Sequence, residues 1–463
     1  MRYASAEMVS LFEPATKVVL ERELWLAVLD AQIDAGLEVD RSVIDDYLAV
    51  IDDVDFESIE RRERVTRHDV KARLEEFNAL AGHEHLHKGL TSRDATENVE
   101  QVQIARALDL VERRTVALLS RLAERAAEYA ALTIVGRTHN VAAQPTTLGK
   151  RFASLGEELL AAHGHVVAVR DRLALRGLKG PVGSQQDLLD LLGSVEQVEQ
   201  IERHLGDAMG VERVLGAVGQ VYPRSLDLEV VSALVQLGSA PANLALAVRL
   251  MAGHDLATEG FAPGQVGSSA MPHKMNTRSA ERINGLYTIL RGHLTMAAGL
   301  AGDQWLEGDV SCSVVRRVVL PDAFFAIDGQ YETTFAVLDG FGAYEGVIDA
   351  ELARYLPFLA TTGLLMHAVR AGMGREEAHA VIKEHAVAAA LAMRDGTADG
   401  TQLVRALGDD DRFPGSTGEV AAVVDGARHG IGLVDAQIGG FCAQVEKLAA
   451  GRPESAYRGA GVI

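Results

Sequence analysis

Between Gly267 and Asn276 the chain reads Gly-Ser-Ser-Ala-Met-Pro-His-Lys-Met-Asn, placing two hydroxyls, an imidazole and an ammonium within ten residues. Glycines at 260, 264 and 267 and prolines at 263 and 272 flank and interrupt this stretch, so a helix cannot run through it and it reads as loop. Hydroxyl, imidazole and ammonium groups on a loop can exchange protons and hold a carboxylate, and such groups often sit on loops carried by a rigid scaffold. Taken alone, the same composition also describes a solvated, turn-rich surface loop.

Further polar clusters interrupt otherwise helical sequence: Arg67-His68-Asp69, Gly89-Leu90-Thr91-Ser92, and Gly136-Arg137-Thr138-His139-Asn140 leading to Gln144-Pro145-Thr146-Thr147. Each borders a long helix, where free backbone amides can hold an anion. Thr91 or Ser92 could equally cap the helix that follows, and His68 and His139 could equally be structural histidines. Gly219-Gln220-Val221-Tyr222-Pro223-Arg224 and the stretch from Asp309 through Ser313 to Arg316-Arg317 add amide, hydroxyl and guanidinium groups. Arginine favours planar anions such as carboxylate and phosphate. Against 65 acidic and 45 basic side chains, cations recurring in these loops suggest attraction of an anionic small molecule, with ordinary surface ion pairing as the alternative.

These loops need long elements to position them. No proline occurs between Ala15 and Gln144. Within that interval Asn98 to Val135 lacks glycine and proline, and Val102, Ala105, Leu108, Val111, Leu118, Leu122 and Ala126 keep helical spacing. These residues predict a rod of roughly 55 Å. Thr146 to Leu178, Leu188 to Met209, Leu226 to Leu237, Ala242 to Glu259 and Thr277 to Leu306 read as further helices. Asp349 to Asp395 reads as a set of shorter ones. The expected fold class is all-α, with a helical N-terminal domain over residues 1–97, a central long-helix bundle over 98–347 and a C-terminal helical domain over 348–463. Helices with such wide apolar coverage call for partners on several sides, which points to oligomerisation.

The net charge of −20 argues against a nucleic-acid partner, whose binder would be basic. Two cysteines, Cys312 and Cys442, fit neither a disulfide framework nor a zinc site and suit a reducing cytoplasm. The N-terminal residues carry no apolar core of the secretory kind. Val230 to Val248 is uncharged over 19 residues, but its Ser, Gln, Asn and Pro residues favour two buried helices broken near Gly238 over a membrane span. His83, His85 and His87 share one face of a strand but not of a helix, and have no accompanying carboxylate pattern, so a metal site there is not expected. Gly340-Phe341-Gly342 with Gly346 lies one residue off the dinucleotide fingerprint and has no βαβ context.

Taken together, Gly267 to Asn276 resembles the signature of the fumarase/aspartase superfamily, Gly-Ser-Ser-x-Met-Pro-x-Lys-x-Asn. The stretches at 67–70, 89–92, 136–147 and 219–224 narrow the resemblance to the adenylosuccinate-cleaving branch. It implies elimination of fumarate from adenylosuccinate and from the related succinylated carboxamide ribotide of purine synthesis, without a cofactor. It assigns Ser268 as base and His139 as general acid, with Lys274 and Asn276 on the succinyl carboxylates, His68 on the acid side and Glu281 orienting His139 or a neighbour. Substrate contacts carried over are Arg67, Asp69, His87, Thr91, Ser92, Thr138, Gln220, Ser269 and Met271, with Arg2, Tyr3, Arg282, Ser313 and Arg317 on the nucleotide and its phosphate.

The resemblance further implies a homotetramer with a twenty-helix core and active sites built from three subunits. Two departures bear on binding: Gly308 stands where many members have arginine, so that an anion contact is missing or supplied by Arg316, and Thr277 replaces a common proline. The rival readings are another fumarate-forming lyase, such as one acting on argininosuccinate, and a helical scaffold without catalysis.

Overall fold

Residues 2–261 and 270–461 are described by the computed structural model, and among them helices dominate, with sheets limited to two-stranded ribbons. The N-terminal part carries α1 (Ala6–Leu11), α2 (Pro14–Asp34), α3 (Ser42–Leu48), α4 (Phe56–Thr66) and α5 (Asp69–Ala81). Local chemistry sets several of these starts. Pro14 opens α2, where its missing N–H would have had no helical partner. Ser5 caps α1, and His68 caps α5 by accepting from the Lys71 amide through Nδ1 at 3.3 Å. Leu24, Trp25, Tyr47 and Phe77 form the buried centre of this region.

The predicted rod is α6 (Ser92–Glu128), which begins earlier and ends earlier than the sequence pattern suggests. Its start is fixed by a reciprocal capping box, in which the Thr91 hydroxyl takes a helix amide and the Asp94 carboxylate takes the Thr91 amide at 2.7 Å. Its end falls at Glu128 because the β-branched run Thr133-Ile134-Val135 prefers extended backbone. That run enters β1 (Thr133–Thr138), which pairs antiparallel with β2 (Val141–Thr147). His139 and Asn140 are the two turn residues, with φ of 52° and 60°, the left-handed pair that a tight hairpin turn demands.

After the hairpin come α7 (Leu148–Arg172), α8 (Gln186–Leu192), α9 (Val195–Met209), α10 (Ser225–Ala252), β3 (Ala257–Thr258), α11 (Arg278–Leu300), α12 (Ser311–Gly340) and β4 (Gly342–Ala343). Helices α6, α7, α10, α11 and α12 form the bundle, around Leu118, Leu159, Leu234, Leu237, Leu290, Phe324 and Phe335. The uncharged run expected as two helices is one, α10, with Pro241 inside it. Proline removes one ladder bond without ending the helix, and the Gln330 side chain reaches the adjacent Gly238 carbonyl at 3.0 Å. Much of its most apolar window, 61%, is buried by the rest of the chain. Conversely, the stretch expected as one helix from Leu188 to Met209 is two, separated at Gly193, whose φ is 83°.

Side-chain bonds give the bundle two distinct ends. The starts of α6, α10 and α12 meet through Arg224 to Glu97 at 2.8 Å, Arg316 to Asp227 at 2.7 Å and Arg93 to Ser313 at 3.3 Å. Their last turns meet at the opposite end, where Arg125 donates to the carbonyls of Leu338 and Asp339 and β3 pairs with β4. The starts of α7 and α11 and the β1–β2 hairpin lie at that second end. Helix α6, with 37 residues, separates the two by about 55 Å.

Beyond the bundle, α13 (Glu345–Leu359), α14 (Thr361–Arg370), α15 (Arg375–Arg394), α16 (Thr401–Gly408) and α17 (Thr417–Ala427) close over their own core of Leu352, Leu364, Val381, Leu403 and Val420. Val135 of β1 joins that core. Finally α18 (Val434–Ala449) returns to the bundle, burying Phe441 and Val445 against it.

Candidate active site

At the capped end, buried charges hold the polar loops in place. Asp94 is fully buried and accepts from Arg176 and from the Gly180 amide at 3.0 Å. Arg176 in turn donates to the carbonyls of Gly180 at 2.8 Å and Gly219 at 3.0 Å. Glu97 receives both its 2.8 Å contacts with Arg224 from one guanidinium nitrogen. Burial works against the charge of Arg316, but Asp227, Tyr222, Glu100 and Glu97 hold it protonated. Each of these pairs costs desolvation that its Coulomb energy repays only when geometry is good, so the network fixes loop position more than it adds stability.

Two expectations change here. Arg224 and Arg316 do not attract an anionic ligand: both are buried and paired with carboxylates of their own chain. Arg316 is therefore not available to replace the arginine that Gly308 displaces. Gly308 lies against Gln220, where an added Cβ would stand 3.3 Å from the Gln220 Cβ and Oε1. The Gln220 amide donates to the Glu307 carbonyl at 2.9 Å, so residues 219–220 and 307–308 form one surface. The Tyr222-Pro223-Arg224 half of that motif is structural, while Gln220 remains partly exposed.

The remaining groups of this end gather beside that surface. Arg317 reaches Asp69 at 3.4 Å, and Arg73 reaches the same Asp69 oxygen at 3.4 Å. Burial raises the Asp69 pKa, but Arg73, the Val70 amide and Arg317 outweigh it and keep the carboxyl below its usual range. Arg67, at the left-handed end of α4, and His68 are exposed. His87 accepts from the Trp25 indole through Nδ1 at 3.1 Å. Burial lowers its pKa against the pull of Asp94, with His68 and Lys71 near enough to lower it further. With Nδ1 taken as the acceptor, the neutral ring carries its proton on Nε2. Thr91 caps α6, so the capping role open to it is the one it fills, and Ser92 begins that helix. Ser313 joins them through Arg93. His83 is paired with Asp46 at 2.8 Å, and no cluster of metal-ligating side chains exists among the described residues.

The hairpin end presents different chemistry. Thr138, His139 and Asn140 are exposed at the hairpin tip, braced by the Arg137 to Glu351 ion pair and by Arg137 to the Asn140 carbonyl at 3.3 Å. Lys274, Asn276 and Glu281 line a cavity of about 620 Å³ with Arg249, Glu259, His273 and Tyr344. His139 is not among its lining residues. Lys274, Met271 and Glu281 are exposed. Ser268 and Ser269 lie outside the described residues. Thr277 makes no side-chain cap for α11. Glu259 does that instead, accepting from the amides of Ser279 and Ala280 at 2.9 and 2.8 Å. The guanidinium of Arg282 stacks on Tyr3 at 4.5 Å, with Arg2 at 5.6 Å from the same ring.

The chain therefore brings together two groups of residues and keeps them apart. Arg67, His68, Asp69, His87, Thr91, Ser92, Gln220, Ser313 and Arg317 belong to the capped end, and His139, Lys274, Asn276 and Glu281 to the hairpin end. Sequence reading missed Asp94, Glu97, Arg176 and Glu259. The signal available for Asp94 was its place three residues after Thr91, the spacing of a capping box; nothing local marks Glu97, Arg176 or Glu259.

Residues 19–292 match the lyase family model, and residues 357–441 match the model for the adenylosuccinate lyase C-terminus. The chain is 32% identical over 399 residues to an adenylosuccinate lyase of Schistosoma mansoni, covering 85% of this chain and 83% of that one. It is also 32% identical over 415 residues to that of Saccharomyces cerevisiae, covering 87% and 86%. Among solved structures, a 3-carboxy-cis,cis-muconate lactonizing enzyme from Pseudomonas putida superposes with a TM-score of 0.83 at 20% identity, covering 97% and 99% of the two chains. A fumarate lyase from a Mesorhizobium species gives 0.82 at 18%, covering 96% and 99%. At that identity the structures speak to the shared helical fold. With the family model spanning more than half the sequence and the relatives matching along most of their length, the chain belongs to the adenylosuccinate lyase family of the fumarate lyase superfamily.

Proposed function

We propose that this protein cleaves adenylosuccinate to AMP and fumarate, and the succinylated carboxamide ribotide to its carboxamide and fumarate, by acid/base β-elimination. The observation that carries the reading is the joint match of the lyase region and of the adenylosuccinate lyase C-terminal region in one chain. The reaction removes a proton from the carbon beside a carboxylate, holds the dianionic species that results, and protonates the departing purine nitrogen. Ser268 takes the proton, Lys274 and Asn276 hold the carboxylates, and His139 gives the proton to nitrogen. His68 and the neutral His87 contact the substrate from the capped end. A serine hydroxyl is a weak base unless its alkoxide is stabilised, so water exclusion and the Lys274 charge are needed at that step.

The separation of about 55 Å between the two ends supports a site shared between chains. We infer a homotetramer in which the capped end of one subunit meets the hairpin end and the signature loop of others. The three-part domain division over 1–97, 98–347 and 348–463 and a cytoplasmic location belong to the same reading. Exposed Leu246, Leu250, Ile289 and Met296 on α10 and α11 support contacts between copies.

The test is absorbance during turnover of adenylosuccinate and of argininosuccinate in parallel. Loss of the adenylosuccinate signal with none on argininosuccinate is expected; turnover of argininosuccinate alone overturns the assignment. Mixing Ser268→Ala with His139→Ala subunits should restore part of the activity, and verified mixed oligomers without recovery would exclude shared sites.

A further inference from the structure

Both chain ends are fastened to one short stretch of α12. The Ser5 amide donates to Asp328 Oδ2 at 2.6 Å, and both residues are buried, at 2% and 1% exposure. One residue on, Gly329 leaves room for the arm itself: a Cβ there would stand 2.9 Å from the Tyr3 carbonyl oxygen and 3.0 Å from the Tyr3 Cβ. Any side chain at 329 would lift Tyr3 off the helix. One turn further, Glu332 accepts from the Tyr457 hydroxyl at 2.6 Å and from the Ala460 amide at 2.5 Å. Arg114 links the two tails, donating to Glu7 of α1 at 2.7 Å while its guanidinium lies over the Tyr457 ring.

We propose that Asp328 is a positioning residue for substrate binding, whose bond to the Ser5 amide latches the N-terminal arm so that Arg2 and Tyr3 stand beside Arg282. The inference rests on the proposed reading that these three side chains bind the nucleotide. What it adds is the device that holds them. Ser5 has φ of −65° and ψ of 154°, and its side chain accepts from the Met8 amide at 3.3 Å. The arm therefore leaves α1 in extended backbone, three residues from the latch to Arg2. With no helix or strand of its own, the arm takes its course from the contacts at Ser5 and Tyr3. Asp328 touches no substrate and acts through the arm alone. Its second oxygen, Oδ1, is buried without a hydrogen-bond partner among the described residues, so the carboxyl is committed to the arm and to no second internal donor.

Asp328→Ala and Asp328→Asn in the full-length oligomer distinguish a latch from a packing residue. Asparagine keeps an oxygen that accepts from the Ser5 amide; alanine does not. For Asp328→Ala, amide exchange at residues 3–8 should rise at least tenfold and KM for adenylosuccinate roughly tenfold, with kcat within about twofold. Asp328→Asn should stay within about twofold of the parent in both readouts. Arg2→Ala should raise KM as well, and adding it to Asp328→Ala should raise KM little further, because the arm is already released. Unchanged exchange in a folded Asp328→Ala protein, equal losses in kcat and KM, or additive KM effects would each overturn the latch. If Asp328→Ala does not fold, Ser5→Pro removes the donor at a φ proline adopts and should give the same exchange and KM pattern, whereas Ser5→Ala, which loses the α1 cap but keeps the backbone donor, should leave KM within about twofold; equal KM effects in the two would overturn the latch. A parent protein that fails to cleave adenylosuccinate would sink the functional reading, while the exchange measurement would still decide the latch.

Discussion

The two ends of the bundle solve opposite problems. At the capped end Asp94, Glu97 and Arg316 have 0%, 0% and 3% exposure, and their bonds lock three helix starts together. At the hairpin end His139, Lys274 and Glu281 sit in turns and a first helical turn, exposed to solvent. The first is a rigid platform paid for in desolvated charge. The second offers groups whose environment is finished by whatever packs against them. Binding surfaces gain from preorganisation, whereas exposed acid and base groups gain their dry surroundings on closure of the site.

The largest effect should come from His139→Ala. Loss of a general acid costs on the order of 10²- to 10⁴-fold in turnover, measured as kcat on adenylosuccinate, while the unfolding midpoint in urea should barely move because the side chain is exposed. Near-normal turnover would remove His139 from the chemistry, and a large stability loss would erase the contrast between the ends.

Arg316→Met tests the platform. Removing one partner of a buried ion network strands Asp227 and Glu100, at about 3 to 5 kcal/mol of stability, read from urea unfolding. A loss below about 1 kcal/mol would mean that water or rearrangement already satisfies those carboxylates.

The smallest effect concerns Asp328, where burial raises the carboxyl from 3.8 to about 6 against the Ser5 bonds, with Glu332 raising it further and Arg114 lowering it. Below pH 4 both folded and unfolded states carry the proton and no penalty exists. As pH rises from about 4 to 6 the unfolded state gives its proton up while the folded state keeps it, so stability is lost, by at most about 3 kcal/mol, and the loss is complete once the folded carboxyl ionises near 6. Asp328→Asn should thus match the parent near pH 4, exceed it increasingly up to about pH 6 and hold a constant advantage from there to pH 8 in paired urea titrations. A difference independent of pH would mean that Asp328 does not titrate in this range.

Much of the architecture is legible in the residues. Scarce proline and the 3.6-residue spacing of Val102, Leu108, Val111 and Leu118 predict α6, though the pattern overruns its end because Thr133 to Val135 continue the apolar content while changing the preferred backbone. Pro241 and Gly238 read as a break in α10 because local propensity disfavours them, yet packing against α11 and α12 and the Gln330 bond carry the helix through. Of the polar motifs, spacing does not separate Gln220, which stays accessible, from Arg224 four residues later, which is consumed by Glu97.

By itself the sequence determined the helical class and the signature stretch from Gly267 to Asn276, because periodicity and residue type are local properties; the candidate acid, base and carboxylate-binding residues follow from the resemblance which that stretch carries. Only the tertiary structure decided which arginines are spent on buried carboxylates, that Asp328 fastens the N-terminal arm, and that His68 and His139 stand at opposite ends of a helix. Those outcomes depend on contacts between residues up to 323 positions apart, which no local pattern encodes.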